Sequence, residues 1–199
     1  MTSFKFAALL LILMLVAPAL AAGSDRKVVA RVPDCEITAG DRDERGNNLM
    51  LSYCSWPVAM EAIKSVFLNV ADHDLYHDAV VESTVLPDGR VLQVHQASGI
   101  SDRQVTLIYK NETFDDGGLR VSWTLAEQQE PLGSGRIQAV LDDGSWMVRP
   151  GKEGRSEITY SLRYEPGGRV PKFVVRAFQK NGIGEMLEEM RAAAVKLSP

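Results

Sequence analysis

The chain has 199 residues, with 26 acidic against 22 basic side chains and a formal net charge of −4. Without a basic excess or a Lys/Arg run it lacks the face that nucleic acids require, which excludes them as partners. Its 45% hydrophobic and 24% charged residues are an ordinary globular balance.

Residues 1–21 read as a secretory signal. Lys5 supplies the positive start, Phe6 to Val16 form an unbroken apolar run, and Ala19 and Ala21 satisfy the small-x-small rule of signal peptidase. The run is shorter than the roughly 20 apolar residues of a membrane span, which favours cleavage over an uncleaved anchor. The first cysteine is Cys35, so no lipid attachment is expected at the cleavage region. Cleavage leaves residues 22–199 in a periplasmic or secreted location.

Cys35 and Cys54 are the only cysteines. In an exported chain such a pair points to one disulfide, rather than to two free thiols or half of a metal site. The polar stretch between them, with Gly40, Gly46, Asn47 and Asn48, reads as a hairpin or loop.

Pro57 predicts a helix over 57–69, with Met60, Ile63, Lys64 and Phe67 on one face. A short second helix is predicted from Asp72 to Val80. The period then changes to two. Val81 to Leu86, the turn Pro87-Asp88-Gly89 and Val91 to Gln96 form a hairpin. Val105, Leu107 and Tyr109 alternate with Thr106 and Lys110. After a turn at Asp115-Asp116-Gly117-Gly118, Leu119, Val121, Trp123 and Leu125 alternate with Arg120, Ser122 and Thr124. Ile137 to Leu141 is predicted to turn at Asp142-Asp143-Gly144 into Trp146 and Val148. Ile158, Tyr160, Leu162 and Tyr164 mark the last strand. Such alternation gives each strand one buried and one wet face, as in an antiparallel meander.

Beyond Gly167-Gly168, Pro171 opens a long terminal helix. Phe173, Val174, Ala177 and Phe178 mark one face, continued by Ile183, Met186, Leu187, Met190 and Ala194. Gly182 and Gly184 predict a bend or break between the two parts. A one-sided sheet must bury its apolar face, and this helix is long enough to cover it. The fold class is α+β: a curved antiparallel sheet around a C-terminal helix, with a space between them suited to an apolar ligand.

Three groups of residues carry a resemblance to a known family. Val66-Phe67-Leu68-Asn69-Val70-Ala71-Asp72 with Tyr76 and Val80 to Leu86, then Ser101-Asp102-Arg103, then Gly167-Gly168-Arg169-Val170-Pro171 with Leu187 and Arg191 are, in this order, similar to START-like (SRPBCC, helix-grip) domains of the lipid-binding and polyketide cyclase-like superfamily. The similarity begins at residue 57, giving a START-like domain at 57–197 behind an N-terminal segment, 22–56, that it does not account for. The resemblance implies a cavity between sheet and terminal helix that holds a lipid, a sterol-like molecule, a quinone or a polyketide. It implies a hydrophobic small molecule or lipid as partner, transient membrane contact and a monomer. The family contains carriers as well as cyclases and hydrolases, so fold alone does not fix the function.

The candidate ligand-binding residues follow from strand parity. Tyr109, Trp123, Trp146, Tyr160 and Tyr164 share the parity of apolar neighbours; they are ordinary core, or, where a cavity exists, its wall, with phenol and indole groups orienting a polar ligand end. Arg103 either pairs structurally with Asp102 or meets a polar head group, and Phe178 completes the set. His73 and His77 have the spacing of zinc sites on a helix, but a zinc-protease pattern needs Glu where Asp74 stands, and only Asp78 lies nearby. His95 has no Gly-x-Ser-x-Gly nucleophile, because Ser101 lacks the second glycine. Gly133-Ser134-Gly135 is a loop rather than a phosphate cradle. No catalytic residue, metal or cofactor is assigned. The leading expectation is binding or transport of a hydrophobic ligand outside the cytoplasm. A cyclase- or hydrolase-type enzyme using the same cavity, and a protein-interaction module, are the alternatives.

Overall fold

The computed structural model describes residues 26–198, and the signal segment and cleavage site expected from the sequence lie outside them. Alternating apolar side chains set the strands, and their inward faces meet in one core. The chain opens with β1 (Lys27–Val32), β2 (Cys35–Arg42) and β3 (Asn48–Trp56), followed by α1 (Met60–Leu68) and α2 (His73–Tyr76). Then come β4 (Val80–Val85), β5 (Val91–His95), β6 (Arg103–Thr113), β7 (Leu119–Leu125) and the two-residue β8 (Ile137–Gln138). The chain closes with β9 (Leu141–Pro150), β10 (Ser156–Glu165), α3 (Lys172–Ala177) and α4 (Ile183–Leu197).

The sheet runs β1-β2-β3-β10-β9-β7-β6-β5-β4, with β8 added parallel to the start of β6. The other pairings are antiparallel. The segment before residue 57 therefore supplies three strands of the same sheet, joined to the rest through β3 and β10. Cys35 and Cys54 stand opposite each other in the β2–β3 hairpin and are joined as a disulfide. The Trp56 indole N–H donates to Cys35 Sγ at 3.3 Å. Replacing both cysteines by alanine should lower stability by about 3 kcal/mol, the loop-closure value for a link of this size. Urea denaturation of the double variant reads this directly; an unchanged midpoint would show that the link does not stabilise the hairpin.

Two helices, not one, cover the concave face. Met186, Leu187, Met190 and Ala194 of α4 are buried, and Ile63, Val66 and Phe67 of α1 are fully buried beside them. Phe67 stacks on Trp146 of β9 with ring centroids 4.7 Å apart. Each such side chain contributes about 1.5–3 kcal/mol on leaving water.

Several boundaries differ from the sequence expectation. Helix α1 starts at Met60 instead of Pro57, because Val58 is buried with its carbonyl accepting a 2.8 Å bond from Ser156 Oγ, and Ala59 is extended (φ −60°, ψ 131°). Helix α2 ends at Tyr76; His77 is extended (φ −147°, ψ 108°), so His73 and His77 do not share a helical face. Asp142-Asp143-Gly144 is not a turn but lies within β9, near its start. The terminal helix is not broken at Gly182. Its backbone stays helical through a wider π turn over Phe178–Gly182, where a Cβ at Gly182 would lie 2.8 Å from the Phe178 ring.

Candidate functional site

Between the concave face of the sheet and helices α3 and α4 lies a cavity of about 140 Å³. Its floor is a row of residues in register across five strands: Met50, Leu162, Gly144, Trp123 and Tyr109. Gly144 shapes this floor. A Cβ there would lie 2.4 Å from Trp123 Cζ2 and 2.6 Å from the Ser161 carbonyl oxygen, so only glycine lets the indole lie across β9. Across that gap the Trp123 N–H donates to Asp142 Oδ1 at 2.8 Å.

Asp142 is 3% exposed, and burial pushes its carboxyl up to about 7, reinforced by the like charge of Asp143 and opposed by the Trp123 hydrogen bond. Its second oxygen faces His95 Nδ1 at 3.6 Å. Burial holds His95 down to about 3, with His77 and His73 adding like-charge repulsion, so this imidazole is neutral at physiological pH. The contact is therefore not an ordinary ion pair. Burial raises the phenols of Tyr109, Tyr160 and Tyr164, and the Asp142 charge raises each of them further.

From His95 a chain of hydrogen bonds runs along the cavity wall through Gln93 to His73 and Ser83. His95 Nε2 lies 3.2 Å from Gln93 Oε1, and Gln93 Nε2 lies 3.0 Å from Ser83 Oγ and 3.3 Å from His73 Nδ1. Ser83 Oγ donates to the Val70 carbonyl at 2.6 Å, which anchors the chain on backbone. His73 is itself held down to about 4, chiefly by burial. His77 turns elsewhere: its Nδ1 lies 3.1 Å from Glu189 Oε2 of α4. The two histidines thus serve separate contacts, and among the described residues no group of three or more His, Cys, Asp or Glu is placed to hold a metal.

Arg103 is 3% exposed and ties the start of β6 to the approach of α3. Its Nε donates to the Pro166 carbonyl at 3.0 Å and Nη2 to that of Gly167 at 3.3 Å, while Nη1 bonds the Ser101 carbonyl. Among the described residues it forms no ion pair with Asp102, contrary to the paired reading of the sequence. On the helical side, Val174, Val175 and Phe178 close the cavity, and Phe178 meets Tyr164 with centroids 5.9 Å apart.

The structure brings Tyr109, Trp123, Trp146, Tyr160, Tyr164, Arg103 and Phe178 together on the cavity wall. Sequence reasoning missed Asp142 and Gln93, and it left His95 without a partner. A signal for Asp142 existed: counting back by two from Val148 and Trp146 reaches Gly144 and then Asp142, which assigns it to the inward face.

Residues 57–191, more than half of the chain, match the family described as polyketide cyclase / dehydrase and lipid transport. Over 97 residues the chain is 27% identical to an uncharacterised protein of Pseudomonas aeruginosa, a stretch covering 49% of this chain and 48% of that one. The chain thus spans about half the length of that curated relative. The backbone is similar to the STAR-related lipid transfer protein of Xanthomonas axonopodis, with a TM-score of 0.75 and 15% identity over 85% of this chain and 98% of the other. It is also similar to human StAR-related lipid transfer protein 5, with a TM-score of 0.79 and 12% identity over 86% of each chain. Identities this low bear on fold alone. With its antiparallel sheet gripping a C-terminal helix, the chain belongs to the polyketide cyclase / dehydrase and lipid transport family and has the START helix-grip fold.

Proposed function

We propose that the protein binds an apolar small molecule or lipid in this cavity and carries it outside the cytoplasm. One observation supports this most: the cavity is walled mainly by aromatic and aliphatic side chains, with its carboxyl and imidazoles gathered near Asp142 and His95. That is the pattern of a pocket that takes an apolar body and orients one polar end. Membership of a lipid-transport family and the lipid-transfer names of two structural relatives support the same reading. The volume sets a limit. A dry cavity of about 150 Å³ holds a benzene-sized molecule, so this one accepts a ring or short chain as it stands. A whole lipid requires α3 to move outward.

Export rests on the sequence signal and is supported by the Cys35–Cys54 disulfide. No helix among the described residues is long and apolar enough to cross a membrane. A carrier in that compartment needs only transient membrane contact to load, and it works as a monomer. Hydrolysis is less well supported, since both ring nitrogens of His95 are directed at Gln93 and Asp142 and none at a hydroxyl nucleophile.

Native mass spectrometry of protein purified without detergent from its own compartment should find a small apolar adduct that organic solvent removes. Titration with that extract should quench the Trp123 and Trp146 fluorescence of the stripped protein. A bare mass together with no quenching by any extracted lipid would overturn the carrier reading.

A further inference from the structure

The hydrogen-bond chain behind His95 determines where its proton lies. Ser83 Oγ gives its hydrogen to the Val70 carbonyl, so it can only accept from Gln93. Gln93 Nε2 is therefore the amide nitrogen, and Gln93 Oε1 faces His95. Facing a carbonyl oxygen at 3.2 Å, His95 Nε2 carries the hydrogen. Neutral imidazole has one N–H only, which leaves a lone pair on Nδ1. Asp142 Oδ2 lies 3.6 Å from that nitrogen. Two acceptors facing each other in a buried site repel, so a proton belongs between them, and it completes the Asp142 carboxyl. The separation of 3.6 Å is too long for a direct O–H···N bond. One fixed donor and one fixed acceptor thus stand side by side on the cavity wall, neither satisfied by the other.

Given the apolar-ligand reading above, on which this inference rests, we propose that Asp142 and His95 form the head-group subsite of the cavity. The subsite selects a ligand bearing a neutral hydroxyl: the hydroxyl hydrogen goes to His95 Nδ1, and the hydroxyl oxygen accepts the Asp142 carboxyl hydrogen. A hydrocarbon leaves both groups unpaired. A ketone satisfies Asp142 only. A carboxylate adds an anion beside Asp143 and has no hydrogen for His95 Nδ1, and the buried Arg103 already has all three guanidinium nitrogens on backbone carbonyls. Trp123 holds the far oxygen of Asp142, while Tyr109, Tyr160 and Tyr164 surround the site as neutral phenols.

The test uses three probes of one skeleton small enough for the cavity: 4-propylphenol, propylbenzene and 4-propylbenzoate. Binding to the signal-free protein is measured by equilibrium dialysis at pH 6. The phenol should bind roughly 10-fold more tightly than propylbenzene, as expected for two modest hydrogen bonds replacing unsatisfied groups, and the benzoate most weakly. In His95→Phe, which keeps only the bond from Asp142, the phenol-to-hydrocarbon ratio should fall to about 3. In the wild type alone the ratio should fall between pH 6 and pH 8.5, as Asp142 loses the hydrogen it donates. If propylbenzene binds and the phenol is no tighter, or if the ratio is the same at both pH values, the subsite is wrong while the apolar cavity stands. If none of the three binds, the apolar-ligand reading fails and this inference fails with it.

Discussion

Gly144→Ala should lose on the order of 4 kcal/mol of stability, a large effect for the addition of one methyl group. The added carbon would overlap the Trp123 ring on one side and the Ser161 carbonyl on the other. The carbonyl belongs to the β9–β10 ladder and cannot move without breaking strand pairing, so the indole has to leave. Once it does, the Asp142 carboxyl loses its N–H donor in a buried site, and the unmade hydrogen bond adds to the steric cost. Gly133→Ala is the control, because the atoms nearest its Cβ would belong to the Arg136 side chain and not to backbone, and it should change stability by less than about 1 kcal/mol. Urea denaturation of both variants, with near-ultraviolet circular dichroism to follow the indole, measures this. Equal stability of Gly144→Ala and wild type would mean that Trp123 does not depend on that gap.

The second large effect is a dependence on pH. The Asp142 carboxyl is raised from 3.8 to about 7 on folding, mainly by burial. Its stabilising contribution is complete below pH 3.8 and is lost as pH rises through about 7, because the unfolded chain ionises first. At roughly 1.4 kcal/mol per pKa unit, the full change is about 4 kcal/mol. Asp142→Asn keeps an acceptor for Trp123 but cannot ionise. It should therefore match wild type near pH 4 and exceed it by about 3–4 kcal/mol at pH 8.5. The histidines act in the opposite direction. His73, His77 and His95 are held below 6.5, so the stability they contribute is present above 6.5 and lost on acidification. Comparison of variant and wild type at each pH removes this shared background. A gap between the two proteins that stays constant from pH 4 to pH 8.5 would show that Asp142 ionises as freely in the folded state as in the unfolded one.

Strand parity carried far in this sequence for a physical reason. A cavity wall on the concave face of a sheet obeys the same alternation as a core, so Tyr109, Trp123, Trp146, Tyr160 and Tyr164 announce themselves by their neighbours. The polar end of the cavity does not. Asp142, His95, Gln93, Ser83 and Val70 come from β9, β5, β4 and the segment before α2, and only the register of the sheet brings them together. Locally, Asp-Asp-Gly is the composition of a turn, and that preference yields to a ladder in which Gly144 is needed under an indole from another strand. The buried outer face of β6 was hidden in the same way. Gln104 and Thr106 look solvent-facing by alternation, but the Gln129 amide brackets the Thr106 backbone and Gln104 donates to the Pro131 carbonyl. No local pattern signals that a loop will fold over a strand.

The order of strands across the sheet also determines when the molecule can first assemble. Strand β3 lies against β10, pairing Trp56 with Ser156, so residues 57–155 must be made before β3 gains its second neighbour. A chain that emerges N-terminus first exposes an unpaired edge of the β1–β3 hairpin unit throughout that interval, held only by its own ladder and one disulfide. Sheets closed by pairings this distant in sequence fold slowly, in the millisecond-to-second range of β-rich domains, because loop closure precedes any reward from the contacts. Under the proposed export, in which the chain would cross a membrane as an extended thread, such a late closing step is an advantage: β10, the strand that locks β3 into the sheet, is the last strand to arrive.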